Sequence, residues 1–335
     1  MTFVTVSSFG RTDRGAVRSE NQDQYFIAEL ARSMKVESNS IELESYSRLF
    51  GDSLGYLFLV ADGMGGHRGG KEASRLAIRY FVSAILNSLR WLVRADLNAE
   101  AWFIEDLKSM LANAHRELQT QSASDVELQG MGTTLTMAYV AWPRMYVVHA
   151  GDTRCYLLRE GELRQITRDH TVAEQMMKSG QLDRASVDRS PWANVLVNAL
   201  GAGASDVFAD IYKIDLMFGD QLLLCSDGLN KHVSDELILD VLKQSESLQF
   251  ASDKLIHSAI QAGGSDNVTV VLAKFQGEYA RDHMRIFATA RTEEKILMDL
   301  LRPTSEIETD AGGLPLPTSD LRRSSDPTDI PTSDF

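Results

Sequence analysis

Short apolar runs that break off at an acid followed by glycine punctuate this chain. Tyr56-Leu57-Phe58-Leu59-Val60-Ala61 is continuous enough for a strand buried on both faces, and it stops at Asp62-Gly63-Met64-Gly65-Gly66-His67-Arg68-Gly69-Gly70-Lys71. The residues that follow place Ala73, Leu76, Ala77, Tyr80, Phe81, Ala84 and Ile85 on one face, which predicts a helix over about 72–93. Phe103, Leu107, Met110, Leu111, Ala114 and Leu118 repeat that spacing over about 103–119. Upstream, 2–9 and 23–30 read as strands around a polar loop, while 31–55 loses periodicity and reads as a surface excursion with a short helix near 45–50.

Downstream, 133–141, 145–150, 154–159 and 162–166 alternate as a meander, with Glu160-Gly161 as a tight turn. Thr171 and Glu174 form a capping box for a helix that Gly180 stops, inside a flap-like segment of about 169–205 placed to cover a site. Strands over 207–214, 221–225 and 267–275 enclose helices capped by Ser234 and running over about 252–262. Helices set between runs of antiparallel strands predict α+β layers rather than a doubly wound parallel sheet.

Composition changes sharply near the end. Five of the seven prolines fall between Pro303 and Pro331 among serines, threonines and aspartates, so 303–335 is expected to be a disordered acidic tail. A linker over 278–302 carries a short helix capped by Thr292, leaving 1–277 as the principal domain. The whole chain has 335 residues, 44% of them hydrophobic, which suffices for a sizeable core. No apolar run approaches the roughly 18 residues of a membrane span, and the first residues lack a signal-peptide pattern, so a cytoplasmic monomer is expected. Asp and Glu number 47 against 34 Lys and Arg, a net charge of −13 that disfavours nucleic acid and anionic membranes as partners. Cys155 and Cys225 lie in apolar strand-like runs and read as buried thiols in a reducing compartment.

The candidate chemistry lies at strand ends. Leu222-Leu223-Leu224-Cys225 runs into Ser226-Asp227-Gly228, and Gly263-Gly264-Ser265-Asp266-Asn267 leads into Val268-Thr269-Val270-Val271, so Asp62, Asp227 and Asp266 share one kind of context. If those ends converge, repulsion and desolvation demand a cation, and carboxylates without clustered Cys or His favour Mg²⁺ or Mn²⁺. A phosphate-binding loop at Gly65 to Lys71 fails because Glu72 stands where a hydroxyl belongs, and a dinucleotide fingerprint fails at Arg68.

Six motifs in order now make a resemblance visible: Arg18-Ser19-Glu20-Asn21-Gln22-Asp23, Asp62-Gly63-Met64-Gly65-Gly66-His67, Met131-Gly132-Thr133-Thr134-Leu135, Gly151-Asp152-Thr153-Arg154, Ser226-Asp227-Gly228-Leu229 and Ser265-Asp266-Asn267-Val268-Thr269. The set resembles the metal-dependent protein phosphatases of the PPM, or type 2C, family in their bacterial branch, over about residues 5–275. The resemblance implies two antiparallel β-sheets packed as a sandwich and flanked by helices, with two core Mn²⁺ or Mg²⁺ ions between the sheets. By carry-over, Asp62 bridges the ions, the Gly63 carbonyl ligates one, Asp227 and Asp266 complete the other, and Asp23 acts through water. Asp152 matches a ligand of a weaker third ion, and Arg18 matches the arginine that grips phosphate.

The implied activity is hydrolysis of phosphoserine and phosphothreonine in proteins by a metal-bridging hydroxide, opposing a serine/threonine kinase. His67 is one candidate to protonate the leaving oxygen, a metal-bound water the other. Gln22 stands where some family members have Glu, which implies weaker metal binding. The alternative is a catalytically silent phosphatase-like module that binds or regulates.

Overall fold

The computed structural model describes residues 4–35, 48–65, 68–87, 97–187 and 189–277. His67, the linker helix and the 303–335 tail lie outside the described residues. The chain begins with β1 (Thr5–Asp13), β2 (Gln24–Lys35), β3 (Arg48–Ala61) and the two-residue β4 (Gly63–Met64), followed by α1 (Gly69–Asn87) and α2 (Leu97–Ser124). Then come β5 (Gly132–Thr133), β6 (Leu135–Ala141), β7 (Arg144–Ala150), β8 (Arg154–Arg159), β9 (Glu162–Gln165), α3 (Val172–Lys178), α4 (Arg184–Val187) and β10 (Leu200–Gly201). The last part holds β11 (Asp210–Asp215), β12 (Gln221–Cys225), α5 (Asp227–Asn230), α6 (Asp235–Gln244), α7 (Leu248–Gln261) and β13 (Val268–Gln276).

These strands form two five-stranded sheets, in the orders β1-β13-β12-β8-β9 and β11-β7-β6-β3-β2, with a small β10-β5-β4 sheet beside them. Every pairing of β3, β12 and β13 is antiparallel. The predicted sandwich is therefore present, and its layering explains the continuous apolar runs. Phe58 and Val60 of β3 meet Leu222, Leu224, Val271, Ala273 and Phe275 between the sheets. Leu57, Leu59 and Ala61, the alternate residues of β3, pack against Phe81, Leu107 and Leu111 of α1 and α2. On the opposite outer face, Leu223, Cys225, Val270 and Leu272 pack against Ile238, Val241, Leu255 and Ile256 of α6 and α7. Strands covered on both faces have no polar side, so period-two alternation disappears.

Local signals hold well. Thr171 accepts a hydrogen bond from Glu174 N as the N-cap of α3, and Ser234 accepts from Leu237 N at α6. Glu160 and Gly161 have φ of 50° and 85° between the paired residues Arg159 and Glu162, a hairpin turn that matches strand twist. Cys155 and Cys225 are free and buried. They belong to the inter-sheet core and the helix-side core respectively, on opposite faces of their sheet.

Several expectations change: α2 spans Leu97–Ser124 rather than about 103–119, β1 spans Thr5–Asp13 rather than 2–9, and two further changes have a visible local cause. Residues 48–50 are strand rather than helix: β2 and β3 continue past a pair of register irregularities near Ala31, so both flanks of the expected excursion belong to a long hairpin. Bulges scrambled the alternation that would have revealed it. α7 begins at Leu248, earlier than expected, because Ser247 accepts from Phe250 N and caps it. Among the described residues, no helix is long and apolar enough to cross a membrane.

Phe58 is fully buried between the sheets. Phe58→Ala should therefore destabilise the protein by about 3–5 kcal/mol through lost transfer energy and a residual cavity. Guanidinium denaturation checks this, and a midpoint within error of wild type would contradict the packing described.

Candidate metal centre

Antiparallel register brings the acids together. Asp23 precedes β2, whose first residue Gln24 pairs with Ala61, the residue before Asp62. Asp266 closely precedes β13, where Val270 pairs with Cys225, and Cys225 also pairs with Arg154 at the start of β8. Asp227 follows that β12 end, and Asp152 lies in the turn between β7 and β8. One strand's exit is thus the next one's entry, and five aspartates from distant parts of the chain meet at one end of the sandwich. Arg18, Asp62, Gly63, Asp152, Asp227 and Asp266 line a cleft of about 600 Å³, room enough for a phosphorylated side chain. Asp23 is buried beneath it.

The backbone around each acid is fixed by hydroxyl and amide side chains. Asp62 N donates to Thr134 Oγ1 at 3.1 Å, while Asp62 O accepts from Thr133 Oγ1 at 2.8 Å and Thr134 N at 2.9 Å. Asp23 Oδ2 accepts from Ser226 Oγ at 2.6 Å and Thr269 Oγ1 at 2.7 Å, which ties β2 to the other sheet. Asn267 donates to Arg14 O and Glu20 O, both at 2.9 Å, and accepts from Gln22 N at 2.9 Å, anchoring the whole Arg18 loop. Gly151 N donates to His170 Nδ1 at 3.1 Å, and His170 N donates to Gly151 O at 2.7 Å, so the Asp152 turn is clamped to the start of the flap-like segment. Asn194 and Leu196 of that segment line the cleft.

Glycine is required where loops touch. A Cβ on Gly63 would lie 2.0 Å from Gly70 O, and one on Gly228 would lie 2.0 Å from Asn267 O. Any side chain there would push the loops of Asp62 and Asp227 out of place.

The electrostatics are strongly unfavourable without a cation. Burial pushes Asp62 well above the usual carboxylate range, and Asp23, Asp227, Asp152 and Asp266 push it further, although its surface stays partly open to the cleft. Burial does the same to Asp152, with Asp227 and Asp169 adding to it and Lys231 opposing. Burial raises Asp23 to about 7 despite its bonds from Ser226 and Thr269. Asp23 Oδ1 and Asp227 Oδ1 are buried without a hydrogen-bond partner. Hard oxygen donors, partnerless and mutually repelling, suit a divalent cation such as Mn²⁺ or Mg²⁺. Among the described residues, no three acidic, histidine or cysteine side chains are closed into a ready-made ligand group. Side-chain cations hold some of the acids instead: Arg18 Nη2 donates to Asp266 Oδ2 at 2.8 Å, and Lys231 pairs with Asp227.

The sequence profile described as Protein phosphatase 2C matches residues 46–258. The chain belongs to this family. Serine/threonine phosphatase stp of Listeria welshimeri is 32% identical over 264 residues, covering 79% of this chain and 94% of the relative. Serine/threonine protein phosphatase PstP of Mycobacterium tuberculosis is 35% identical over 263 residues, 78% of this chain and 44% of the relative's length. The crystal structure of the M. tuberculosis phosphatase PstP/Ppp matches with a TM-score of 0.64 at 31% identity, covering 82% of this chain and 100% of that one. The PstP catalytic domain in complex with 2 manganese ions matches with a TM-score of 0.63 at 31% identity, with the same coverage. Membership also ends the phosphate-loop reading: β3 is antiparallel to both neighbours, and Lys71 bonds Glu20 at 3.1 Å.

For this phosphatase 2C member, sequence reasoning placed Arg18, Asp23, Asp62, Gly63, Asp152, Asp227 and Asp266, and the fold brings them all to one end; His67 falls outside the described residues. The supporting residues Thr133, Thr134, Asn267 and His170 went unassigned. Thr133, Thr134 and Asn267 stood inside quoted motifs, but nothing local to them says which backbone group they bind. Lys231 also went unnoticed, although it follows Asp227 by four residues, the spacing that puts both on one helix face.

A carboxyl whose folded-state pKa exceeds its unfolded value near 4 binds more protons when folded, so metal-free stability falls as pH rises from about 4 to about 7. Asp23→Asn keeps an acceptor for Ser226 and Thr269 without the buried charge. In chelator-treated protein it should add on the order of a few kcal/mol, or several degrees in Tm, at pH 8 and little at pH 4. Thermal unfolding at both pH values checks this; equal shifts would contradict it.

Proposed function

We propose that this chain is a metal-dependent protein phosphatase that hydrolyses phosphoserine and phosphothreonine monoesters in proteins, opposing a serine/threonine kinase in the cytoplasm. The observation that carries this reading is the meeting of five strand-end aspartates beside Arg18 in a member of the phosphatase 2C family. The catalytic domain is 1–277, with the remaining residues appended to it.

Asp62, the Gly63 carbonyl, Asp227 and Asp266 are assigned to two core Mn²⁺ or Mg²⁺ ions, with Asp23 acting through water. Asp152 is offered to a weaker third ion at the rim. When bound, the two ions lower the pKa of water and neutralise a phosphate dianion that would otherwise repel a hydroxide nucleophile.

The chain's own groups bind and orient the ester. Bonding to Asp266 raises the pKa of Arg18, so its guanidinium stays charged, and a planar fork can hold two phosphate oxygens at once. Thr133, Thr134, Asn267 and the His170 clamp keep the acids from drifting apart as charge enters and leaves. Protonation of the leaving serine oxygen is assigned to His67, with water held beside Asp152 as its rival. The Asn194 and Leu196 edge of the flap-like segment supplies a wall for the peptide around the phosphorylated residue.

Hydrolysis of an aryl phosphate and of a phosphopeptide should require Mn²⁺ or Mg²⁺, and Asp62→Ala should abolish both at any metal concentration. Substantial turnover by that variant at saturating Mn²⁺ would sink the two-ion assignment. A wild-type protein inactive on both substrates would leave the silent-module reading standing. Arg18→Ala should raise KM on the order of tenfold with a smaller effect on kcat, because it binds phosphate in ground and transition states alike. Steady-state kinetics on one phosphopeptide separates the two, and a fall confined to kcat would contradict the role.

A further inference from the structure

The acid cleft contains an ammonium group. α5 is a single turn, and Lys231 N donates to Asp227 O at 2.9 Å as that turn closes. The i,i+4 geometry folds the side chain back along Asp227, and Nζ pairs with Asp227 Oδ2. The same Nζ stands 3.7 Å from Asp266 Oδ2, and Lys231 lines the cleft that holds Asp62 and Asp152.

An ordinary helix-surface ion pair joins one cation to one carboxylate in open solvent and contributes little. This one differs in two respects. The Lys231 side chain is 25% exposed and the Asp227 side chain 11%. The ammonium serves two carboxylates rather than one.

We propose that Lys231 is a built-in counter-ion of the metal centre, competing with the rim ion at Asp152 for the Asp152, Asp227 and Asp266 side of the cleft. Charge balance supports it. Five ionised aspartates and the hydroxide of the proposed reaction carry six negative charges, and two divalent ions with Arg18 and Lys231 carry six positive ones. A third divalent ion would thus enter a site that Lys231 has already brought to neutrality, whereas without Lys231 one negative charge there would be left for it. Lys231 therefore weakens the rim ion while it stabilises the metal-free acid cluster. This inference rests on the two-ion reading above.

The test is Mn²⁺ binding to the full chain, by calorimetry and equilibrium dialysis after chelator treatment. Lys231→Met should bind the rim ion on the order of tenfold more tightly than wild type, the scale of removing one nearby like charge in a partly screened site. Asp152→Ala introduced into Lys231→Met should remove the gain. Lys231→Arg, which keeps the charge, should titrate like wild type. Metal-free Lys231→Met should melt several degrees lower. A Lys231→Met titration superimposable on wild type, a gain that survives loss of Asp152, or an equal gain in Lys231→Arg would each overturn the proposal. Wild type that binds no Mn²⁺ at all would overturn both this inference and the two-ion reading, which separates the two failures.

Discussion

Mutual repulsion among buried carboxylates is the constraint that organises this molecule. Asp23, Asp62, Asp152, Asp227 and Asp266 come from parts of the chain separated by up to 243 residues, yet antiparallel pairing delivers all of them to one end of the sandwich. Desolvation and like charge raise Asp23, Asp62 and Asp152, so the metal-free cluster opposes the fold that creates it. The three apolar cores must overcome that opposition, and divalent cations convert it into binding energy.

Holding such a cluster takes more than strands. The fold surrounds each acid with hydrogen bonds that join segments far apart in sequence: Ser226 and Thr269 to Asp23, Asn267 to the Arg18 loop, Thr133 and Thr134 to Asp62. Several of these donors and acceptors fix backbone rather than side chain, which leaves carboxylate oxygens such as Asp23 Oδ1 and Asp227 Oδ1 uncommitted. Rigid backbone with uncommitted oxygens is the combination a metal site requires. Gly63 and Gly228 serve the same end, because a Cβ at either would force neighbouring loops apart.

Arg18 and Lys231 bring two positive side chains into a cleft lined by Glu20, Asp62, Asp152, Asp227 and Asp266. Each cation is paired with acids, so it is positioned before any anion arrives. The two cations offset part of that acid charge, and in the proposed reading Arg18 carries the chemistry suited to phosphate.

The sequence by itself determined the layers and the acids. Apolar runs such as 56–61 and 222–225 announce strands buried on both faces, and each ends in an aspartate followed by glycine, a local pattern whose meaning survives without knowledge of the fold. Caps at Thr171 and Ser234 and the turn at Glu160-Gly161 are equally local. Tertiary structure alone decided what lies between those signals. The β2–β3 hairpin passes through register irregularities that erase its period, and Asn267 and His170 act on backbone atoms of residues remote in sequence. Lys231 sat at a legible i,i+4 spacing from Asp227, but an ordinary helix-surface pair and an ammonium shared between two acids of one cleft have that spacing in common. The second carboxylate separates the two: Asp266 stands 3.7 Å from the same ammonium because antiparallel pairing brings its strand end beside that of Asp227, a fact no local stretch of sequence contains.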